Sequence, residues 1–587
     1  VKLSDYVIDF IAKEKVEHLF EMIGGAIAHL ADSVHSRKDI KCVSMHHEQA
    51  AGFAAEGYAR INGKLAVAMA TSGPGALNLL TPIGSCYFDS VPTLFITGQV
   101  NTYEYKFDKP VRQIGFQETD IVSVVKPLVK YAKLVSDAKE IRYHLEKAIF
   151  LAQSGRPGPV LLDIPMNIQR AKISPKKLKG FLGTVEHKKM LKENRGSLRD
   201  IPKIIKIMAK AKRPVILIGG GLRISGATSE LEQLLKKTNI PVVSSLMGLD
   251  AIDHGAPMFS GMIGTYGNRY SNFLLANSDF LLILGARLDT RQTGTAPKTF
   301  AREAFKIHVD IDATELNNKV KADIPVKSDI KIFLKELNLK IKNFPKGELK
   351  PWYDIIKSYQ KKYPVIENVN NHLKINPNEF ISALSGHVDK NTAICVDVGQ
   401  NQMWAGQSFR IKKGQRMLIS GGMGSMGFSS PAAMGAMLAV KGKKGVVICG
   451  DGGFQVNIQD IDFFGKYKLP VKVILLNNKC LGMVREFQDI YFGGRRQSTV
   501  EGYSCPNIKK IALAYGFAYF EIKSMKEVDK ALKKIFKLNS PVLVDVQLGM
   551  ETSVAPKLLM NRPIEDMSPF IDRKELKEQM IIKPLKN

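Results

Sequence analysis

The amino-acid sequence predicts an α/β protein made of doubly wound parallel-sheet domains. Two local patterns and the chain length carry that expectation. Uninterrupted apolar runs such as VPTLFITGQV, GPVLLDIP, FLLILG and VVIC read as strands buried on both faces. They end in Gly, Pro, Asn or Asp turn residues, and segments with helical spacing alternate with them, as in a parallel sheet covered by helices. At 587 residues the chain is too long for one core, so three or four domains are expected.

Residues 1–170 hold the first such domain. Val16–Phe20 runs into a turn at Gly24-Gly25-Ala26, and Lys41–Ser44 is a short strand before MHHEQAAGFAAEGYARING. In that segment Ala50, Ala51, Ala54 and Ala55 let a helix pack closely. Glu48 opens this helix directly after the strand. A carboxylate held among small apolar residues is placed to exchange a proton with a ring nitrogen. Taken alone, HHEQAAG reads more simply as a first-turn Glu favoured by the helix dipole. LAVAMATSGPG follows as a buried strand ending in a Gly/Pro turn.

Residues 171–200 are Lys-rich and read as an irregular linker. RPVILIGGGLRISGA opens a second α/β unit over 201–340. Its Gly219-Gly220-Gly221 turn suits a dinucleotide phosphate, although the GxGxxG spacing is incomplete. Residues 341–372 read as a second linker, 373–550 as a third α/β domain and 551–587 as a C-terminal tail.

The most informative stretch lies in the third domain, from Val446 to Gln488. Two strand-like runs, Val446–Cys449 and Val471–Leu476, end in Gly450-Asp451-Gly452-Gly453 and Asn477-Asn478. In a parallel sheet both ends fall on one edge, where ligands bind. The glycines let backbone N–H groups approach phosphate. Asp451 and Asn478 offer hard oxygen ligands for a Mg²⁺ that keeps phosphate oxygens in its shell. GDGG alone fits an ordinary tight turn equally well; the pair, each after an apolar strand, is much more specific.

GDG followed by Asn-Asn resembles the signature of thiamine-diphosphate (ThDP) enzymes, and LNNKCLGMVREFQ resembles their acetolactate (acetohydroxyacid) synthase branch. HHEQAAGFAAEGYAR, TSGPGALN, SVPTLFITGQV and FQETD occur in the order of that branch's pyrimidine-binding domain. The resemblance covers nearly the whole chain. It implies pyrimidine-binding, central and diphosphate-binding domains, in that order. It implies that Glu48 protonates the aminopyrimidine N1′ and so drives loss of the C2 proton. Pro74 and Asn78 would lie beside that ring, and Gly25 would offer a backbone donor near the reacting carbon. Gln400, Asn401, Gly450, Asp451, Gly452, Gly453, Asn478, Cys480, Leu481, Gly482 and Met483 would surround the diphosphate. Asp451, Asn478 and the Cys480 carbonyl would hold the metal. The Gly424 carbonyl and the Met426 side chain would keep the cofactor bent, where a Met in a Gly-rich turn is otherwise ordinary packing. GGG, GMIGTYG, GARLDTR and VDID resemble the lining of an FAD site. Gly219, Gly220, Gly221, Arg287, Asp310 and Asp329 would then meet an FAD without a redox role; relatives that keep the fold without flavin leave that point open.

The implied activity is a ThDP- and Mg²⁺-dependent transferase. A 2-keto acid, pyruvate, loses CO₂ and its two-carbon unit adds to a second carbonyl. Phe116 and Gln117 of FQETD and Arg291 of GARLDTR resemble substrate-handling residues. An Arg suits a carboxylate; by itself Arg291 equally fits a surface ion pair. Three departures bear on the acceptor. Phe487 stands where the synthases carry Trp. The segment NTYEYKFDKPVRQIG is longer than the family's, with Tyr103, Tyr105, Lys106, Lys109 and Arg112 at the expected rim. The tail lacks the family's usual ending. These leave open transfer to a nucleotide-linked keto-sugar in branched-sugar biosynthesis, or a related decarboxylase or oxidase activity. Intact Glu48, Asp451 and Asn478 speak against a catalytically dead scaffold. The family places the cofactor between subunits, so a homodimer or homotetramer is expected, and a small regulatory partner is compatible with it.

Composition adds exclusions. No apolar run approaches the roughly 18 residues of a membrane span, and the N-terminus reads as neither a signal nor a transit peptide. Six scattered cysteines without CxxC fit reduced thiols in a cytoplasmic protein. The net charge of +29 suits an anionic partner, but the lysines are spread and no aromatic-interleaved basic motif marks nucleic-acid binding.

Overall fold

Parallel pairing builds three six-stranded sheets, in chain order. The computed structural model describes residues 1–193, 196–366 and 375–585. The first sheet contains β1 (His18–Met22), β2 (Lys41–Ser44), β3 (Ala66–Ala70), β4 (Thr93–Gln99), β5 (Tyr131–Leu134) and β6 (Val160–Pro165), in the order β2-β1-β3-β4-β6-β5. The second contains β7 (Pro214–Ile218), β8 (Val242–Ser244), β9 (Phe259–Met262), β10 (Phe280–Leu284), β11 (Phe305–Asp310) and β12 (Ile324–Lys327), in the order β12-β11-β10-β7-β8-β9. The third contains β13 (Thr392–Val396), β14 (Arg416–Ile419), β15 (Lys444–Gly450), β16 (Lys472–Asn477), β17 (Ala518–Ile522) and β18 (Val542–Gln547), in the order β14-β13-β15-β16-β18-β17.

The apolar runs are the inner strands. β3, β4, β6, β7, β10, β13 and β16 are buried along their whole lengths, because helices cover both faces. The first and third sheets share one topology. The middle sheet has the dinucleotide-binding order, in which the chain reverses direction between β7 and β10.

The first and third domains meet along two helices. Each follows the second strand of its sheet: Glu48–Asn62 after β2 and Ser429–Ala439 after β14. Their small residues are a steric requirement. A Cβ on Gly57 would lie 2.1 Å from the Ala432 carbonyl oxygen, and one on Gly435 would lie 1.8 Å from that of Ala54. The pairing of 57 with 432 and 54 with 435 makes the helices antiparallel.

Three segments differ from the sequence reading. Residues 171–200 are not simply irregular, since Val185–Glu193 is a helix. The ring of Phe181 is fully buried against Tyr143, Phe150 and His187, and Glu186 accepts from Tyr143 Oη and Lys147 Nζ. Within the second linker Lys350–Lys362 is an amphipathic helix whose Trp352, Ile356 and Tyr359 enter the core of the central domain. The tail is docked on that domain too: Ile564, Met580 and Ile582 join the same core, and Arg302 pairs with Glu565. No helix among the described residues is long and apolar enough to cross a membrane.

Candidate active site

The switch point of a doubly wound sheet is where its outer connections diverge, leaving a crevice beyond the strand ends. In the third sheet it lies between β13 and β15. The turn after β13 carries Gly399, Gln400 and Asn401, and the turn after β15 carries Asp451. Asp451 is buried, and its Oδ2 accepts from Tyr503 Oη at 2.7 Å. Burial raises its pKa, opposed first by the Tyr503 hydrogen bond.

Asn478, after β16, turns its Oδ1 toward two other oxygens: Asp451 Oδ1 at 3.2 Å and the Cys480 carbonyl at 2.9 Å. Rotating the amide would give those oxygens a donor, but would set Asn478 Oδ1 against Gln400 Oε1. The Gln400 amide is committed, because its Nε2 donates to Glu486 Oε2 and the Thr552 carbonyl. Its Oε1 therefore accepts from Asn478 Nδ2 at 2.9 Å and fixes that amide. No amide donor lies between Asn478 Oδ1 and these two oxygens; that Oδ1 accepts only from the Cys480 N–H, at 3.4 Å. Neighbouring ligands in a Mg²⁺ octahedron of 2.0–2.1 Å bonds lie about 2.9 Å apart, so the cluster fits a small divalent cation.

Two glycines beside this cluster admit no side chain. A Cβ on Gly453 would strike Asp397 Oδ1 at 2.4 Å, and one on Gly482 would strike Gln400 Oε1 at 2.0 Å. Met426 leans in from the loop after β14, its Cε 3.2 Å from where a Cβ on Gly452 would stand. Gly424 takes φ +68° in that loop. Leu481 and Met483 flank Gly482, where the helix Gly482–Tyr491 begins, and Leu481 Cδ2 lies 2.6 Å from the same point over Gly452. Asn401 donates to the Asp397 carbonyl at 2.7 Å and turns its Oδ1 toward Gly450.

In the first sheet the switch point lies between β1 and β3. Gly25 follows β1, the short helix Pro74–Asn78 follows β3, and Glu48 follows β2. Glu48 is buried, and its Oε2 accepts from Asn78 Nδ2 at 2.9 Å. Gly75 sits so close that a Cβ there would meet Glu48 Oε1 at 3.1 Å. Gln117 holds φ +63° against Gly73, and the neighbouring Phe116 is 85% exposed. Tyr105, expected at a rim, is instead buried, whereas Tyr103 is exposed.

The antiparallel helices set the distance between these clusters within one chain. Arg60 Nη1, near the far end of Glu48's helix, donates to the Ile419 carbonyl at the end of β14. Glu48 thus lies a helix length, about 18 Å along the axis, from Arg60.

A cavity of about 310 Å³ opens at the switch point of the central sheet and is lined by Gly220, Gly285, Arg287, Asp310, Asp329 and Gly421. Gly219 is forced: a Cβ there would lie 2.0 Å from the Gly285 carbonyl oxygen. Gly285 itself takes φ +59°, and Gly221 packs on its Cα. Burial pushes the Asp310 carboxyl up to about 6. Arg291 also lines this cavity and donates to Gln402 Oε1 at 3.0 Å, not to a carboxylate. A half-open cleft with a glycine cradle and acids at two strand ends fits a dinucleotide.

The sequence reading missed Tyr503, Asp397 and the Gln400–Glu486 pair. Asp397 closes a strand, CVDVG, as Asp451 closes its own, which was a usable signal; Tyr503 lies in an irregular segment and had none.

Comparisons with known proteins agree with this division. Residues 1–124 match the thiamine pyrophosphate enzyme N-terminal TPP binding domain, 201–337 the central domain and 397–546 the C-terminal TPP binding domain. The chain is 36% identical to the probable acetolactate synthase large subunit of Methanococcus aeolicus, over 94% of this chain and 93% of the relative. It is 34% identical to the acetolactate synthase large subunit of Lactococcus lactis, over 94% of each. It is 35% identical to the chloroplastic acetolactate synthase 2 of Nicotiana tabacum, over 96% of this chain and 85% of the relative. With its buried Glu48, its convergent oxygens at Asp451, Asn478 and Cys480, and these matches along its length, the chain belongs to the thiamine pyrophosphate enzymes, in the family of acetolactate synthase large subunits.

Proposed function

We propose that the protein is a carboligase that decarboxylates pyruvate and adds the two-carbon unit to a second 2-keto acid, using ThDP and Mg²⁺, with FAD bound in the central domain. The observation that carries the reading is the convergence of Asp451 Oδ1, Asn478 Oδ1 and the Cys480 carbonyl with no amide donor between them. ThDP, when bound, supplies an electron sink that lets CO₂ leave the keto acid. The protein supplies position and proton control. Asp451, Asn478 and Cys480 hold the cation, and the cation holds diphosphate oxygens. Gln400 and Glu486 fix the orientation of Asn478. Met426 and Gly424 shape the floor between metal and reacting carbon. Glu48 exchanges a proton with the pyrimidine ring, and Asn78 orients its carboxylate.

Glu48 and the metal cluster are brought together by a second copy of the chain. Within one chain, Glu48 and Arg60, the residue that reaches the end of β14, stand at opposite ends of the same helix. Exposed apolar side chains surround both halves: Ile23, Leu77 and Phe116 beside Glu48's domain edge, and Val484, Phe487 and Ile490 on the helix after Asn478. Phe487 packs edge-on to Phe492 and against Tyr491 and forms one wall of the acceptor side.

The test is incubation of purified protein with pyruvate, ThDP and Mg²⁺, with a nucleotide keto-sugar as competing acceptor, and product identification by mass spectrometry. Acetolactate with release of CO₂ is expected. Transfer only to the keto-sugar, acetaldehyde as the sole product, or no CO₂ from any 2-keto acid would overturn the reading.

A further inference from the structure

The loop that carries Gly424 and Met426 is gripped at both ends by buried carboxylates. Asp397, from its own domain, holds the far end: it accepts from Gly427 N at 3.0 Å, Ser429 N at 3.0 Å and Ser429 Oγ at 2.7 Å. The near end is held from another domain. Asp89, just after the helix Leu80–Phe88, accepts from Gly421 N and Gly422 N, each at 2.8 Å. Its side chain is 1% exposed, and Arg60 stands 3.9 Å from Oδ2.

Gly421 and Gly422 are also wedged by the other domains. A Cβ on Gly421 would lie 2.2 Å from Met247 Sδ in the central domain, and one on Gly422 would lie 2.4 Å from Phe88 Cβ. Met247, Phe88, Asp89 and Gly421 all line the central-domain cavity, and Arg287 of that cavity donates to the Phe88 carbonyl. The walls of the dinucleotide cavity and the root of the cofactor-bending loop are therefore the same few residues.

We infer that Asp89 is a positioning residue that couples occupancy of the central cavity to the geometry of the Gly424–Met426 loop, and hence to the affinity for Mg²⁺·ThDP. The inference rests on the proposed reading of both cofactor sites. It gives a flavin that takes no part in redox chemistry a physical consequence. Filling the cavity fixes Met247, Phe88 and Arg287, and these fix the Asp89 carboxylate on Gly421 and Gly422. A chain whose loop is already fixed loses less conformational freedom when it closes on ThDP.

Coupling between two binding sites is reciprocal and is read as a ratio of affinities. Calorimetric titration of the whole protein with Mg²⁺·ThDP, with and without saturating FAD, gives that ratio without reference to turnover. In the unaltered protein FAD is expected to tighten Mg²⁺·ThDP binding by about fivefold or more. In Asp89→Asn one carboxylate oxygen becomes an amide facing an N–H, so the ratio is expected to fall toward one while FAD still binds. Gly421→Ala presses on Met247 and keeps the backbone N–H that donates to Asp89. It is expected to lower the ratio as well, and it serves if Asp89→Asn does not fold. An unaltered ratio in the variant, or a ratio of one in the unaltered protein with FAD bound, overturns the inference alone. Failure of the unaltered protein to bind FAD overturns the flavin reading and the inference with it.

Discussion

The first and third domains are the same sheet used twice, with strand order 2-1-3-4-6-5 and a small-residue helix after the second strand in each. They differ at the turns. In the first, the connection after the second strand ends in a single acid, Glu48, held by Asn78. In the third, the corresponding connection is the Gly-rich loop to Met426, and the turns after the third and fourth strands carry Asp451 and Asn478. On the proposed reading, a shared framework is divided into a half that handles a proton and a half that handles charge. Nothing in the strands foretells which half does which; the turn residues alone decide.

The largest expected effect breaks that division on each side. Glu48→Gln is expected to slow turnover by about 10²- to 10⁴-fold while leaving Mg²⁺·ThDP binding near normal. Asp451→Asn is expected to lose the binding itself. Proton exchange at the cofactor's C2 carbon, followed by NMR, reads the first, and calorimetry reads the second. Near-normal exchange in Glu48→Gln would mean that the first domain has been given the wrong task.

A middle-sized effect concerns what the two halves share. Gly435→Val places a branched side chain where even a Cβ meets the Ala54 backbone. Backbone cannot step aside as a side chain can, so destabilisation of about 1–3 kcal/mol is expected, read as a lowered urea midpoint. An unchanged midpoint would show that the helices are not in that contact.

The last effect is confined to a window of pH and sharpens the comparison inside the sheets. β6 (VLLDIP) and β18 (VLVDVQ) each bury an acid at the fourth position, Asp163 and Asp545. Burial raises both, Asp163 to about 7, against the lesser pull of Gln99 and Thr97. With an ordinary value of 3.8 in the unfolded chain, the native state holds the extra proton between about pH 4 and 7. Unfolding free energy therefore falls as pH rises through that window and levels off above it. Asp163→Asn is expected to flatten the fall in thermal midpoint between pH 5 and 7. An undiminished slope would assign it to other groups.

What the sequence made legible were features decided by neighbours along the chain. The fully buried strands, the turns that carry Asp451 and Asn478, and the helix start at Glu48 are each marked by residues within a turn or two. What it hid depends on distant partners. Lys350–Lys362 read as a linker because its lysines dominate the composition, yet Trp352, Ile356 and Tyr359 form a buried face on the helix. The segment after Lys172 misled for the same reason, with Phe181 as the buried anchor. Asp89 sits in an ordinary helix-to-strand turn, and only the approach of Gly421 and Gly422 from another domain gives it a task.

The antiparallel seating of the two central helices has a genetic consequence. If each site draws its acid from one chain and its metal cluster from another, damage to the two halves is separable between molecules. A mixed dimer of Glu48→Gln and Asp451→Asn chains gathers both lesions into one site and leaves the other intact. Two inactive alleles would then complement each other in the same cell, whereas two alleles hit in the same half would not.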